Sequence, residues 1–183
     1  LLPITLPAGY FVDGGREWFE GWFRNAVQSS DGLLCISRAT ADEVIAYVEN
    51  NCPEKKPLKV GYWHLGSNLD ETDFKGNSSD RATAVLQKNY LLTVGTIEPR
   101  KSQALILDVM EILWAHGIEL SLCVAGKAGW MVEGLMERMR THPELGKRLF
   151  LIEKPSDNEI AELYQGACGL IFFSVGEGFG LPL

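Results

Sequence analysis

Two short stretches carry residue types that suit sugar-phosphate chemistry. In the first, Glu177 stands between Gly176 and Gly178, ahead of Phe179, Gly180, Leu181 and Pro182, and directly after the apolar run Gly169-Leu170-Ile171-Phe172-Phe173. The run reads as a buried strand, and Pro182 suits the first turn of a helix, so the glycines lie where a strand turns into a helix. Such a junction offers unpaired backbone N–H groups and the positive end of a helix dipole. The Glu177 carboxylate adds an acceptor for hydroxyl donors, and together these groups suit a sugar bearing negative or partly negative oxygens. In the second stretch, Glu98-Pro99-Arg100-Lys101 directly precedes a helical pattern. Two cations at a helix N-terminus oppose the dipole unless an anion joins them. A diphosphate would complete the arrangement, taking both side chains and the backbone N–H groups. The alternative is an exposed pair bonded to nearby carboxylates such as Glu98.

Hydrophobic periodicity supplies the elements that position these residues. From residue 89 onward, strands are expected at 90–95, 120–125, 149–152 and 170–173. Between them run amphipathic helices carrying Leu105, Val109, Ile112 and Leu113, then Val132, Leu135, Met136 and Met139, then Ile160, Leu163, Tyr164 and Ala167. Ser156 and Glu159 form a capping box for the last of these. Alternation of this kind implies βαβ units and a parallel sheet covered on both faces. All loops leaving strand C-termini then share one edge, where ligands bind. Those loops hold Arg100 and Lys101, Gly126–Trp130, Glu153-Lys154-Pro155 and Glu177.

Residues 1–65 read as two strands, 32–36 and 58–63, with two helices. Phe19, Trp22, Phe23, Ala26 and Val27 line one helix, and a Thr40-x-x-Glu43 capping box opens the other above Val44, Tyr47 and Val48. The aromatic stripe Trp18, Phe19, Trp22, Phe23 reads as core or domain-interface packing in preference to a lipid anchor. This is too little for an independent α/β domain, so 1–65 is taken as the C-terminal part of a larger N-terminal domain. The polar, turn-rich stretch 66–88 is taken as an interdomain linker, and 89–183 as the first part of a second domain.

The chain has 183 residues, of which 46% are hydrophobic and 22% charged, with a net charge of −7. That charge argues against a nucleic-acid partner. No apolar stretch reaches the ~20 residues needed to span a bilayer. Cys35, Cys52, Cys123 and Cys168 form no Cys-x-x-Cys pair; Cys35, Cys123 and Cys168 lie in or beside apolar runs and read as buried free thiols, which points to a cytoplasmic setting. His64, His116 and His142 are scattered and form no zinc pattern, so no metal site is expected. His116 and His142 suit capping or solvated roles, and His64 a structural one.

Glu177-Gly178-Phe179-Gly180-Leu181-Pro182 after an apolar strand resembles the donor-sugar motif of retaining glycosyltransferases of family 4. The stretch Val94-Gly95-Thr96-Ile97-Glu98-Pro99-Arg100-Lys101 is similar to that family's diphosphate segment, although Thr96 departs from relatives with an additional Arg there. The resemblance implies the GT-B fold: α/β, two Rossmann-like domains with parallel sheets, both incomplete here. The second Glu of the family's Glu-x7-Glu pair would fall at 185, beyond this chain, which implies a fragment that is inactive alone and prone to self-association.

What the resemblance further implies is retaining, metal-independent transfer of a hexose, mannose as first choice, from a GDP- or UDP-sugar to a glycan or lipid-linked hydroxyl acceptor. No cofactor is implied. Catalytic roles would fall to Arg100, Lys101 and Glu177; donor contacts would involve Gly95, Glu98, Arg100, Lys101, Glu177, Gly178, Phe179, Gly180 and Leu181. Such an enzyme would work in the cytoplasm, with peripheral contact at the inner face of the membrane. The competing classes are a non-catalytic nucleotide-sugar-binding module and a GT-B epimerase or phosphorylase.

Overall fold

The structure, a computed structural model, describes residues 5–55, 57–66 and 80–180. They divide into two compact units, one of residues 5–66 with 176–180 and the other of 80–175. Both are α/β, and both are built on parallel strands.

The first unit runs α1 (Gly15–Ser29), β1 (Gly32–Cys35), α2 (Arg38–Asn51) and β2 (Lys59–Tyr62). β1 and β2 pair in parallel, Gly32 opposite Lys59 and Cys35 opposite Tyr62. The two helices close over one core of Phe23, Val27, Cys35, Ala41, Val44, Val48 and Cys52. Phe23 meets Tyr47 edge-on at 5.1 Å between ring centroids. The aromatic stripe on α1 is split: Phe23 is buried and Phe19 packs beside it, while Trp18 and Trp22 are 71% and 53% exposed. At the 3.6 residues per turn of a helix the four side chains fan over roughly 140°, and only the part of that arc holding Phe19 and Phe23 turns to this core. The start of α2 also differs from expectation. Ser37, extended at φ −155°, is the N-cap, and its hydroxyl accepts from the Thr40 amide at 3.2 Å. Thr40 is therefore inside the first turn, and the Thr40–Glu43 box does not open the helix.

The second unit runs α3 (Asp80–Leu86), β3 (Tyr90–Val94), α4 (Gln103–Ala115), β4 (Ser121–Gly126), α5 (Glu133–Arg140), β5 (Leu149–Glu153), α6 (Asp157–Gly166) and β6 (Gly169–Leu170). All four strands are parallel, in the order β5-β4-β3-β6. The chain steps outward from β3 to β4 to β5, then returns to the other side of β3, so a topological switch point lies between β3 and β6. Alternate residues of β4 enter different cores: Leu122 and Val124 join Ile106, Leu107, Met110 and Met136 on one face, Cys123 and Ala125 join Val85 and Leu163 on the other. The sheet is thus covered on both sides, which is why β4 is buried along its whole length.

Four expectations need correction here. Residues 80–86 of the stretch read as a linker form α3, which packs with α6; residues 67–79 lie outside the described residues. On α4, the residues facing the sheet are Gln103, Ile106, Leu107, Met110 and Trp114, whereas Leu105, Val109 and Ile112 are exposed. The helix is apolar nearly all round, so periodicity alone could not choose its inner face. The fourth strand keeps only Gly169 and Leu170, plus a bond from the Ile171 amide to the Leu92 carbonyl at 2.8 Å. Phe172 and Phe173 leave the ladder, and Phe173 is exposed. Cys168, expected to be buried, is also exposed; Cys35, Cys52 and Cys123 are buried, and all four are free thiols.

Candidate functional site

The loop leaving β3 is fixed from several directions. Gly95 has φ +128°, which a side chain rarely adopts, and a Cβ there would lie 3.0 Å from the Lys101 ammonium. The absence of that atom lets the Lys101 side chain fold back over the end of β3. Pro99, Arg100 and Lys101 form a single 3₁₀ turn, and Ser102, at φ +57°, turns the chain into α4. Glu98 is 3% exposed, and its carboxylate accepts from the Arg100 guanidinium. The pairing that sequence offered as the alternative for Arg100 is therefore present. Its side chain keeps 22% exposure.

A residue that motif reading overlooked closes this loop. Gln103 is 2% exposed; its side-chain carbonyl accepts from the Glu98 amide at 3.3 Å, and its NH₂ donates to the Thr96 carbonyl at 3.2 Å. A glutamine amide offers both donor and acceptor, so one side chain satisfies both backbone groups. No sequence signal singles it out, because the inner face of α4 cannot be chosen from periodicity.

At the switch point, the segment after β6 meets the same loop. The Val175 amide donates to the Arg100 carbonyl at 2.8 Å, and the Lys101 ammonium lies 5.2 Å from the centre of the Phe172 ring. Arg100 and Lys101 thus stand where β3 and β6 diverge, at the strand C-termini.

The loop after β4, Gly126-Lys127-Ala128-Gly129-Trp130, is zipped to the β3 loop. Ile97 N donates to Lys127 O and Gly129 N to Ile97 O, both at 2.8 Å. A Cβ on Gly126 would fall 1.8 Å from the Gly95 carbonyl oxygen. This loop buttresses its neighbour through backbone contact. In the third loop Glu153 is held by Arg140 at 2.7 and 3.0 Å, which draws its carboxyl below the ordinary range, while Lys154 donates its amide to Gly126 O.

Gly176 to Gly180 group with the first unit. There the Gly178 carbonyl accepts from the Ser37 hydroxyl at 2.5 Å and the Thr40 hydroxyl at 3.2 Å, and the Phe179 ring lies 6.0 Å from that of His64. Glu177 is half-buried, Gly180 has φ +90°, and Leu181 and Pro182 lie outside the described residues. The expected site residues therefore fall into two groups: Gly95, Glu98, Arg100 and Lys101 gather in the second unit, and Glu177, Gly178, Phe179 and Gly180 belong to the first.

The remaining candidates take local roles. His116 caps α4, with Nδ1 2.8 Å from the Ile112 carbonyl. His142 bridges Glu111 at 2.9 Å and accepts from the Glu144 amide at 3.1 Å. Among the described residues, no three His, Cys, Asp or Glu side chains gather as a metal-binding group, and no helix is long and apolar enough to cross a membrane.

The sequence profile of the family described as glycosyl transferases group 1 matches residues 75–183, more than half of the chain. The chain belongs to the group 1 glycosyl transferases. It is 38% identical over 190 residues to a serotype-specific mannosyltransferase, WbdA, of Escherichia coli, an alignment covering 100% of this chain and 23% of that protein. It is 28% identical over 106 residues to the O-antigen chain mannosyltransferase RfbU of Salmonella typhimurium, covering 58% of this chain and 29% of that one. The group 1 chain thus spans under a quarter of the length of WbdA. The solved structure of WaaG, a glycosyltransferase involved in lipopolysaccharide biosynthesis, aligns with 96% of this chain and 63% of its own at a TM-score of 0.48 and 14% identity.

Proposed function

We propose that this chain belongs to a retaining, metal-independent GT-B glycosyltransferase that moves mannose from a nucleotide diphosphate sugar, GDP-mannose first, to a hydroxyl of a growing polysaccharide. The observation that carries the donor side is the pair Arg100 and Lys101 on the β3 loop, at the switch point between β3 and β6. Ligands of open parallel sheets bind outside the strand C-termini at such points. In the reaction the bond between sugar C1 and the diphosphate oxygen breaks, a bond from C1 to the acceptor oxygen forms on the same face, and the acceptor's hydroxyl proton passes to the departing diphosphate. Negative charge gathers on the departing diphosphate, where Lys101 and Arg100 stabilise it. Glu177, with the amides of Phe179 to Leu181, orients the sugar. Mannose rests on the names of the relatives, WbdA and RfbU, both mannosyltransferases. In this reading residues 1–65 belong to the acceptor-side domain and 89–183 to the donor domain, and the enzyme works in the cytoplasm, with peripheral contact at the inner face of the membrane.

The test is Lys101→Ala in the active protein that contains this chain. Losing one charge-assisted contact should weaken GDP or UDP binding on the order of tenfold to a hundredfold, from ~1.5–3 kcal/mol. Unchanged diphosphate affinity by calorimetry refutes the assignment. Diphosphate binding without sugar transfer to any hydroxyl acceptor would identify a binding module instead.

A further inference from the structure

We infer that Ser37 and Thr40 are positioning residues for the Glu177 loop, holding the Gly178 carbonyl so that the neighbouring carboxylate faces the donor sugar. The inference rests on the reading of Glu177 given above. Its basis is a small cradle at the C-terminal edge of the β1–β2 sheet. Ser37 follows β1 and caps α2; Thr40 lies in the first turn of that helix; both hydroxyls donate to the same Gly178 oxygen. Ile36 closes one wall, since a Cβ on Gly178 would come within 3.0 Å of its Cδ1. His64, stacked on Tyr62 just beyond β2, meets the Phe179 ring edge-on.

Two features make this more than packing. A carbonyl oxygen has two lone pairs, and here both are taken by side-chain donors, which fixes the Gly178–Phe179 peptide plane in rotation as well as in position. Glycine at 178 is also what permits the close approach to Ile36. Glu177 joins that fixed peptide through the Gly178 Cα, so anchoring the Gly178 carbonyl limits where the Glu177 backbone can lie. A loop of glycines is otherwise free to populate many orientations, each of them a non-productive one for the sugar.

The experiment must separate positioning from helix capping, because Ser37 also accepts the Thr40 amide. Ser37→Asp keeps a good N-cap acceptor but has no donor for the Gly178 oxygen. Thr40→Val keeps the shape and removes the other donor. In the active protein each should lower kcat on the order of tenfold, the worth of one well-placed hydrogen bond. Affinity for free GDP should stay at the wild-type value, and the melting temperature should fall only by the small amount that one lost hydrogen bond brings. Thr40→Ser should restore turnover.

Wild-type turnover in Ser37→Asp and Thr40→Val, with Glu177→Gln still impaired, overturns the positioning role and leaves the donor-sugar reading standing. Unimpaired turnover in Glu177→Gln overturns both. Parallel losses of turnover, GDP affinity and melting temperature assign Ser37 and Thr40 to the fold alone.

Discussion

Gln103 shows how a residue with no reactive role governs a reactive loop. Its amide saturates the Glu98 N–H and the Thr96 carbonyl from a side chain only 2% exposed. Gln103→Leu keeps the volume but orphans two buried backbone groups. The second unit should lose roughly 2–4 kcal/mol, seen as a lower urea midpoint, and diphosphate affinity should fall because the Arg100–Lys101 turn loses its anchor. A midpoint equal to wild type would show that water or a shifted backbone replaces both bonds. The cations themselves were legible, since Arg100 and Lys101 stand at a strand-to-helix junction whatever their partners. The Arg100–Glu98 pair was legible as the alternative reading, but the bond from the Val175 amide to the Arg100 carbonyl was not, because it depends on how a distant segment returns to the loop. Ser37 and Thr40 escaped notice for the same reason: 141 and 138 positions separate them from Gly178.

Helix α3 owes its place to one arginine. Arg81 makes a two-pronged bond to the Glu159 carboxylate at 2.7 and 2.9 Å and a third bond to the Glu153 carbonyl at 2.9 Å. Glu159, 6% exposed, also accepts from the Ser156 amide at 2.8 Å as the N3 partner of the α6 capping box. Arg81→Ala therefore leaves a buried carboxylate with its cap but without its cation. The expected cost is roughly 1–3 kcal/mol, with α3 released first and its amides exchanging faster than those of β4. Undiminished protection of 80–86 in hydrogen exchange would mean that Ala82 and Val85, both fully buried, hold the helix unaided. Element order and sheet type were readable because strands and helices alternate with the right periods, and the Ser156 box was readable from four residues. The seven-residue α3 was not, since its polar surroundings mask two small buried side chains. Nor was the inner face of α4, where every turn carries apolar residues on both sides.

At the scale of the whole molecule, charge is distributed as pairs. Glu111 is held by Arg138 and His142, Glu153 by Arg140 and Glu144 by Arg148, and each carboxyl is drawn below its ordinary value, with the arginine hydrogen bond the largest cause. A depressed native value means that the unfolded chain binds more protons in this window, so stability rises with pH there. The contribution is complete above the unfolded carboxylate value of about 4.3 and is lost as the pH falls through the lower native values. These groups are partly exposed, so each pair is worth little alone and is weakened by salt. The discriminating variant is Arg138→Met, which removes the cation shared by Asp108 and Glu111 at 2.7 Å each. It should melt below wild type at pH 7, and the gap should close in acid, once Glu111 is protonated in both proteins. A melting-temperature difference that stays constant from pH 7 to pH 3 would instead assign the loss to the packing of the Arg138 stem against α4, because packing of methylene groups does not titrate.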